Sequence, residues 1–283
     1  MKFLVTGADG FIGKEISTRL INDGHTVHRT GRHSLDVENK WEVWNFFHYN
    51  KVDFVIHTAN IGRGRRDVFC NLASNIKMFS NLSNARTLYK GMFCFGSGAS
   101  FDRRNTIHDA PEELLSNSYP IDYYGMSKNI IAKEILKIND NIVNLRLFGC
   151  FGKYELESRL IKSLVSQSKI GTELHLDEDK IMSFFYVEDL YRVITHYIEN
   201  WDSDLPRDLN CVYPSGSRSL LYIASKVGHA VEELNGKSYT VNVEPGPRSK
   251  SYDGSPSKIN KLNIDFVGLE EGIKIVCREV LSE

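Results

Sequence analysis

Tyr124 and Lys128 stand one helical turn apart in Tyr-Gly-Met-Ser-Lys, so a helix over residues 123–139 carries a phenol and an ammonium on one face. The same stripe continues through Ile131, Ile135 and Ile138, an apolar run that faces a protein interior. A lysine on such a stripe needs its charge used or paired. An ammonium beside a phenol stabilises phenolate, which lets Tyr124 exchange a proton near neutral pH. The plain alternative is a tyrosine packed on a snorkelling lysine. Position favours the chemistry, because the pair opens the helix that follows an apolar strand at Met92–Phe95. Ser97 lies just after that strand, where side chains at the carboxyl end of a sheet meet ligand. Its hydroxyl can hold a carbonyl oxygen against Tyr124. Ser100 is the rival, and Gly98, Ala99 and Ser100 complete a candidate substrate loop. For either serine the ordinary reading is a loop residue satisfying its own backbone.

These groups need a cofactor site, and the first thirteen residues supply one. Phe3, Leu4 and Val5 read as a buried strand, Gly7, Gly10 and Gly13 follow at three-residue spacing, and Phe11–Asn22 is amphipathic. Gly7 permits a tight turn, Gly10 lets backbone approach phosphate, and Gly13 lets helix and strand pack closely. A dinucleotide pyrophosphate then meets free N–H groups at the helix start, with Asp9, Phe11 and Ile12 completing the turn. Thr58, Ala59 and Asn60 follow the strand Phe54–His57 and belong to the same site. The second strand ends at His28-Arg29, and the loop adds Arg32 and His33. Guanidinium suits a ribose 2′-phosphate. An acid about twenty residues beyond the glycines would instead read a free ribose hydroxyl, and that rule points to Asp36, followed by Val37. The two arginines favour NADP over NAD.

The remaining elements alternate. Trp41, Trp44 and Phe47 fall at helical spacing, a basic loop (Arg63, Arg65, Arg66) leads into a helix over 67–88, and Ile142–Phe148 is a strand. This alternation implies α/β architecture, a Rossmann-type doubly wound parallel sheet with helices on both faces. Beyond residue 150 the pattern loosens. Helices are expected around Leu156–Leu164, Val187–Tyr197 and Leu220–Val227 and from Leu269, with strands at Leu174–Leu176 and Leu209–Val212. The expected division is a dinucleotide-binding domain, 1–150, with 185–213 returning to it, and a smaller α/β C-terminal substrate lobe, 151–283. The chain has 283 residues, 41% hydrophobic and 25% charged, and a net charge of -1 that gives no field for nucleic acid or a membrane surface. No apolar run approaches the roughly 18 residues of a spanning helix. Met1–Val5 is too short for a signal peptide, and a cytoplasmic location is expected. The five cysteines form no CxxC pair and read as buried thiols, with no metal site.

Together these residues resemble the extended short-chain dehydrogenase/reductase family of nucleotide-sugar epimerases, dehydratases and 4-ketoreductases. Thr6-Gly7-Ala8-Asp9-Gly10-Phe11-Ile12-Gly13 looks like its TGxxGFIG, and Tyr124 and Lys128 fall on its YxxxK. The serine loop Phe95–Phe101 puts the family's catalytic serine on Ser97, and Phe185-Tyr186-Val187-Glu188-Asp189-Leu190 resembles FxYVxDL. Asn75 and Asn81 fit the asparagine spacing of its long helix. Within the family the chain is most similar to 4-ketoreductases such as GDP-fucose synthase and dTDP-4-dehydrorhamnose reductase. The resemblance implies hydride reduction of a 4-keto-6-deoxy nucleotide sugar. Tyr124 is then the proton donor, Lys128 holds the nicotinamide ribose, Ser97 orients the ketone, and Asp36 borders adenine. It also implies a homodimer packed through the helices over 67–88 and 123–139. Ser183 stands where the family keeps a diphosphate-binding arginine, which leaves Arg218 or Arg248 for that contact, with Arg159 and Lys162 behind them. No histidine follows Phe148-Gly149, which argues for reduction without epimerisation. A 4-epimerase that keeps NAD bound and a non-catalytic dinucleotide-binding protein are the alternatives.

Overall fold

Phe3, Leu4 and Val5 are fully buried in β1 (Lys2–Thr6), the strand from which the parallel sheet is built outward. A computed structural model gives the structure of the chain and describes residues 1–61, 68–246 and 249–282. The chain divides into two compact units. The first comprises Met1–Arg104, Glu112–Leu147 and Ile194–Asn210.

That unit holds a six-stranded sheet of β1, β2 (Thr26–Thr30), β3 (Phe54–His57), β4 (Gly91–Ser97), β5 (Ile142–Leu147) and β6 (Asp208–Asn210). Their order is β6-β5-β4-β3-β1-β2, and every pair is parallel. The chain leaves β1 for β2 on one side and returns to β3 on the other. The loops after β1 and β3 therefore diverge, and a crevice opens at the carboxyl ends of these two strands.

Helix α1 (Phe11–Asn22) buries Gly13, Ile16, Ser17 and Leu20, one stripe at helical spacing. The others are α2 (Lys40–Tyr49), α3 (Phe69–Asn84) and α4 (Tyr123–Ile138). One apolar layer joins Leu4, Val55 and Met92 of the sheet to Val43 and Phe47 of α2, Met78 and Leu82 of α3, and Ile131 and Ile135 of α4. In another cluster Trp201 meets Phe54 and Phe93 edge-on, at 5.1 and 5.5 Å between ring centroids. Gly91 makes room for it, since a Cβ there would lie 2.1 Å from the indole.

Several sequence expectations shift. On α2 the core face is Val43 and Phe47, and Trp41 and Trp44 are exposed; their spacing marks the outer face. The segment expected as one helix over 67–88 is α-helical from Phe69 to Asn84 and closes with a short 3₁₀ turn, Arg86–Leu88. The basic loop Arg63, Arg65 and Arg66 lies outside the described residues. The strand expected at Leu209–Val212 forms at Asp208–Asn210, where a buried arginine of β5 engages both terminal side chains. Cys70 is exposed in the first turn of α3; the other four thiols are buried, as expected.

The second unit comprises Asn105–Pro111, Phe148–Val193 and Cys211–Glu283. It is built from short paired strands. Gly149–Phe151 runs parallel to Phe184–Tyr186, and Glu173–Leu176 parallel to Thr240–Val243. Arg218–Ser219 pairs antiparallel with Ile181–Met182, and Tyr252–Gly254 pairs with Ile107–Ala110. Helices Leu160–Ile170, Leu220–Asn235 and Leu269–Leu281 cover them; Leu156 stays outside the first of these. Asp189 anchors the approach to the last helix. It is fully buried, accepts from the Tyr213 hydroxyl at 2.5 Å and takes the N–H groups of Val267 and Gly268.

Candidate active site

The glycine turn is built as its spacing requires. Gly7 has φ +67, and a Cβ there would lie 2.7 Å from the Ala59 backbone. Gly13 is tighter, with a Cβ meeting the Gly7 carbonyl at 2.4 Å and Thr58 Oγ1 at 2.6 Å. Gly13→Ala is expected to lose up to about 2 kcal/mol of stability in urea unfolding, overpacking of about 3 kcal/mol against backbone outweighing the gain of about 1 kcal/mol in helix propensity. Gly10 differs. Its Cβ would meet the Gly7 carbonyl alone, at 3.3 Å. As N-cap of α1 it offers no side-chain acceptor to the first N–H groups of the helix. An uncapped helix start with open space beside it suits a phosphate.

Beside this turn a cavity of about 430 Å³ is lined by Thr6, Gly7, Arg32, Asp36, Val37 and Glu38, by Ala59 and Asn60, and by Met78. Thr58 fixes the turn, its hydroxyl donating to the Thr6 carbonyl at 2.6 Å. Asn81 of α3 donates to the Val37 carbonyl at 2.9 Å and supports the cavity wall. Uncapped helix, glycine cradle and adjoining cavity together fit a dinucleotide. Arg32 lines the cavity, and its Nη2 lies 3.4 Å from Glu38 Oε1. Arg29 does not line it; its guanidinium donates to the Ala8 carbonyl at 3.3 Å, with the exposed Asp9 carboxylate 4.0 Å away. Asn75 does not line it either. Its amide accepts from Ile61 N and donates to Ile61 O, both at 2.8 Å, and its Nδ2 reaches Ser127 Oγ at 3.4 Å. It ties the loop after β3 to α4.

On α4, Asp122 caps the helix by accepting from Gly125 N at 2.7 Å, and Arg103 holds that carboxylate at 2.8 Å. Tyr124 and Lys128 share a face, the ammonium 5.8 Å from the centre of the phenol ring. Lys128 Nζ donates to the Phe95 carbonyl at 2.8 Å, so its charge is anchored to β4. Gly125 lets the helix close on the serine loop, since a Cβ would lie 2.6 Å from the Ala99 carbonyl. Ser97 ends β4, and its Oγ accepts from Ala99 N at 3.2 Å. Ser100 is fully buried, its Oγ accepting from Arg146 Nε at 3.1 Å. That contact uses Ser100 to fasten the loop.

The Lys128 charge is felt by its buried neighbours. Burial pushes the Cys94 thiol up to about 12 even against that cation. Burial first, then Lys128, lowers His57 from 6.5 to about 3, and its ring bonds Thr6 Oγ1 at 2.8 Å. His57 is thus neutral in the folded chain where the unfolded chain binds a proton. The stability this neutrality confers is full above pH 6.5 and is lost as pH falls toward about 3. The slope from this one group is about 1.4 kcal/mol per pH unit. His57→Asn, which keeps an acceptor for Thr6, is expected to flatten the slope by that amount in urea titrations across the window.

Residues 3–211 match the model of the NAD dependent epimerase/dehydratase family. The chain belongs to that family. Proteins with similar sequences include a GDP-L-colitose synthase of Yersinia pseudotuberculosis, 24% identical over 315 residues, covering 100% of this chain and 99% of that one. A GDP-6-deoxy-D-talose 4-dehydrogenase of Aggregatibacter actinomycetemcomitans is 27% identical over 222 residues, 71% of this chain and 72% of the other. In fold the chain is similar to a GDP-L-fucose synthetase of Naegleria fowleri, with a TM-score of 0.80 at 17% identity over 99% of this chain and 93% of that one.

As an epimerase/dehydratase-family enzyme, the chain uses a pyridine nucleotide, and the glycine turn and cavity above fit that group. Further sequence candidates lie in the second unit. Ser183, expected at the family's arginine position, is buried; its hydroxyl meets Ser217 Oγ at 2.7 Å and accepts from Gly254 N at 3.2 Å. It is an internal tie. Arg218 is half-buried, its Nη1 donating to the carbonyls of Ser215 and Ser217 at 2.7 and 3.0 Å. Arg159 pairs with Glu155 at 3.2 Å, and the buried Lys162 pairs with Glu157 at 2.5 Å. Arg248 lies outside the described residues. No helix among the described residues is long and apolar enough to cross a membrane, and none of their side-chain clusters could hold a metal ion.

Sequence reasoning missed two features. Arg146, inside the apolar run of β5, is fully buried, with Asp208 at 2.8 Å. A charge in a buried strand was the available signal. Glu38 was the other; nothing local marked it as the partner of Arg32.

Proposed function

We propose that the chain is an NADP(H)-dependent reductase of a nucleotide-activated 4-keto-6-deoxy sugar. The observation that carries this reading is the Tyr124–Lys128 pair on α4, closed by Gly125 onto the loop that begins with Ser97. Tyr124 delivers its proton to the ketone oxygen. Lys128, fixed to the Phe95 carbonyl, stabilises the negative charge left on the phenol. Ser97 donates to the same oxygen, its Oγ held at the end of β4 by the Ala99 N–H. A nicotinamide cofactor held with its adenosine end in the cavity would supply the hydride.

Three further assignments rest on the same reading. Relatives whose names carry GDP-sugars support GDP as the nucleotide to test first. Arg218 is the candidate diphosphate contact of the second unit. Phe69 and Ile130, exposed on α3 and α4, support a homodimer through those helices.

The test is a thermal-shift panel of GDP, UDP, CDP and dTDP, each with NADPH or NADH, followed by turnover of the matching 4-keto sugar. The pair that binds most tightly raises the melting temperature most. Oxidation of added NADPH by the keto sugar is the expected result. A purified protein that carries NAD and interconverts C4 epimers without added cofactor would instead establish the epimerase. One observation favours that rival: two carboxylates, Asp36 and Glu38, line the cavity.

A further inference from the structure

Arg32, Asp36 and Glu38 share one stretch of the cavity lining. Among the described lining residues they set one cation against two carboxylates. The carboxylates are held in place. Glu38 Oε2 accepts from Ser74 Oγ of α3 at 2.9 Å, and Glu38 N donates to Asp36 Oδ1 at 3.0 Å. Asp36 N donates in turn to Glu42 Oε2 at 2.9 Å. Arg32 is engaged from this fixed side, its Nη2 3.4 Å from Glu38 Oε1. Arg29 is turned to the Ala8 carbonyl and does not line this wall.

A ribose diol and a ribose 2′-phosphate ask opposite things of such a wall. The diol donates to carboxylate, whereas the phosphate seeks guanidinium and is repelled by carboxylate. Arg32 is largely exposed, so its pair with Glu38 is weak enough to exchange. The fixed charge of Glu38 does not move with it.

We propose that Glu38 weakens the preference of this chain for NADP(H). It occupies Arg32 in an ion pair that a 2′-phosphate must displace, and so disfavours NADP(H) relative to NAD(H). The inference rests on the reading that the cavity takes the adenosine ribose of a dinucleotide. It goes beyond that reading in naming the residue that opposes the phosphate and the tether, Ser74, that holds it there.

The experiment is direct binding, by calorimetric titration of NADPH and NADH into the wild type, Glu38→Gln, Arg32→Ala and the double variant. Glutamine keeps an acceptor for Ser74 and removes the charge. Glu38→Gln is expected to tighten NADPH roughly fivefold and to leave NADH unchanged or weaker, an effect in the range of one partly screened charge. With Arg32→Ala already present, more than half of that gain is expected to vanish. Equal changes for the two cofactors, weaker NADPH binding in Glu38→Gln, or a gain that survives in full without Arg32 would each overturn the proposal.

The underlying reading fails separately. If the wild type binds neither cofactor, the dinucleotide site itself is wrong. If the wild type binds NADH and Glu38→Gln brings NADPH into range, the role of Glu38 stands and the NADP(H) reading falls.

Discussion

Tyr124→Phe lowers kcat for the keto sugar by roughly 10²–10⁴-fold, about 3–5 kcal/mol of lost transition-state stabilisation. Phenylalanine keeps the ring that Lys128 flanks at 5.8 Å and removes the proton. Dinucleotide affinity and melting temperature are therefore expected to stay within about twofold and 2 °C of the wild type, since the half-buried ring and its packing are kept. A drop in kcat with unchanged cofactor binding assigns the proton to Tyr124. Full turnover by the variant removes the acid–base reading, and an equal loss in Ser97→Ala with retained activity in Tyr124→Phe moves the proton to the serine. Lys128→Met separates the second role. It strands the Phe95 carbonyl and removes the charge, so both cofactor affinity and kcat are expected to fall.

Much of this site was legible because it is local. Strand, glycine turn and helix follow one another within residues 2–22, and Tyr124 and Lys128 need one turn of helix to meet. Each feature repeats at a fixed period, and period survives in sequence. What failed to show depends on partners far along the chain. Arg32 was legible as a cation, yet its chemistry is set by Glu38 across a loop and by Ser74 on α3. Trp41 and Trp44 keep helical spacing on the solvent side of α2, so spacing marks the helix without saying which face is buried. In the second unit Leu174 and Leu176 alternate with exposed neighbours and are legible as a strand, but strands of two or three residues are too short to alternate, and Tyr252–Gly254 finds its neighbour at Ile107–Ala110, more than a hundred residues earlier.

Arg146 is the clearest case, and its removal is expected to have the largest effect on stability. The guanidinium is fully buried in β5 and spends all its nitrogens: Nη2 on Asp208 at 2.8 Å, Nη1 on Asn210 at 3.0 Å and Nε on Ser100 at 3.1 Å. Its plane stacks near Phe101, 4.7 Å from the ring centre, and Asp208 is also bonded by Asn144 Nδ2 at 2.6 Å. One group thus joins β5, β6 and the serine loop, and Asn129 of α4 completes the connection by donating to the Ser100 carbonyl at 2.8 Å. A buried pair gains little over apolar packing, but a lone partner left in low dielectric costs about 3–5 kcal/mol. Arg146→Met and Asp208→Asn are each expected to lose that much in urea unfolding. The double variant should fall well short of the sum, because the second change removes a charge the first had stranded. Additive losses would mean that the two side chains act separately and that packing around Phe101 carries the effect. Where the Arg146→Met protein still folds, its Ser100 hydroxyl has lost its donor, and the loop that begins at Ser97 is freed from β5. The expected signature is a lower kcat with dinucleotide affinity retained, because the hydrogen bonds lost fasten the serine loop while Thr58 still braces the glycine turn.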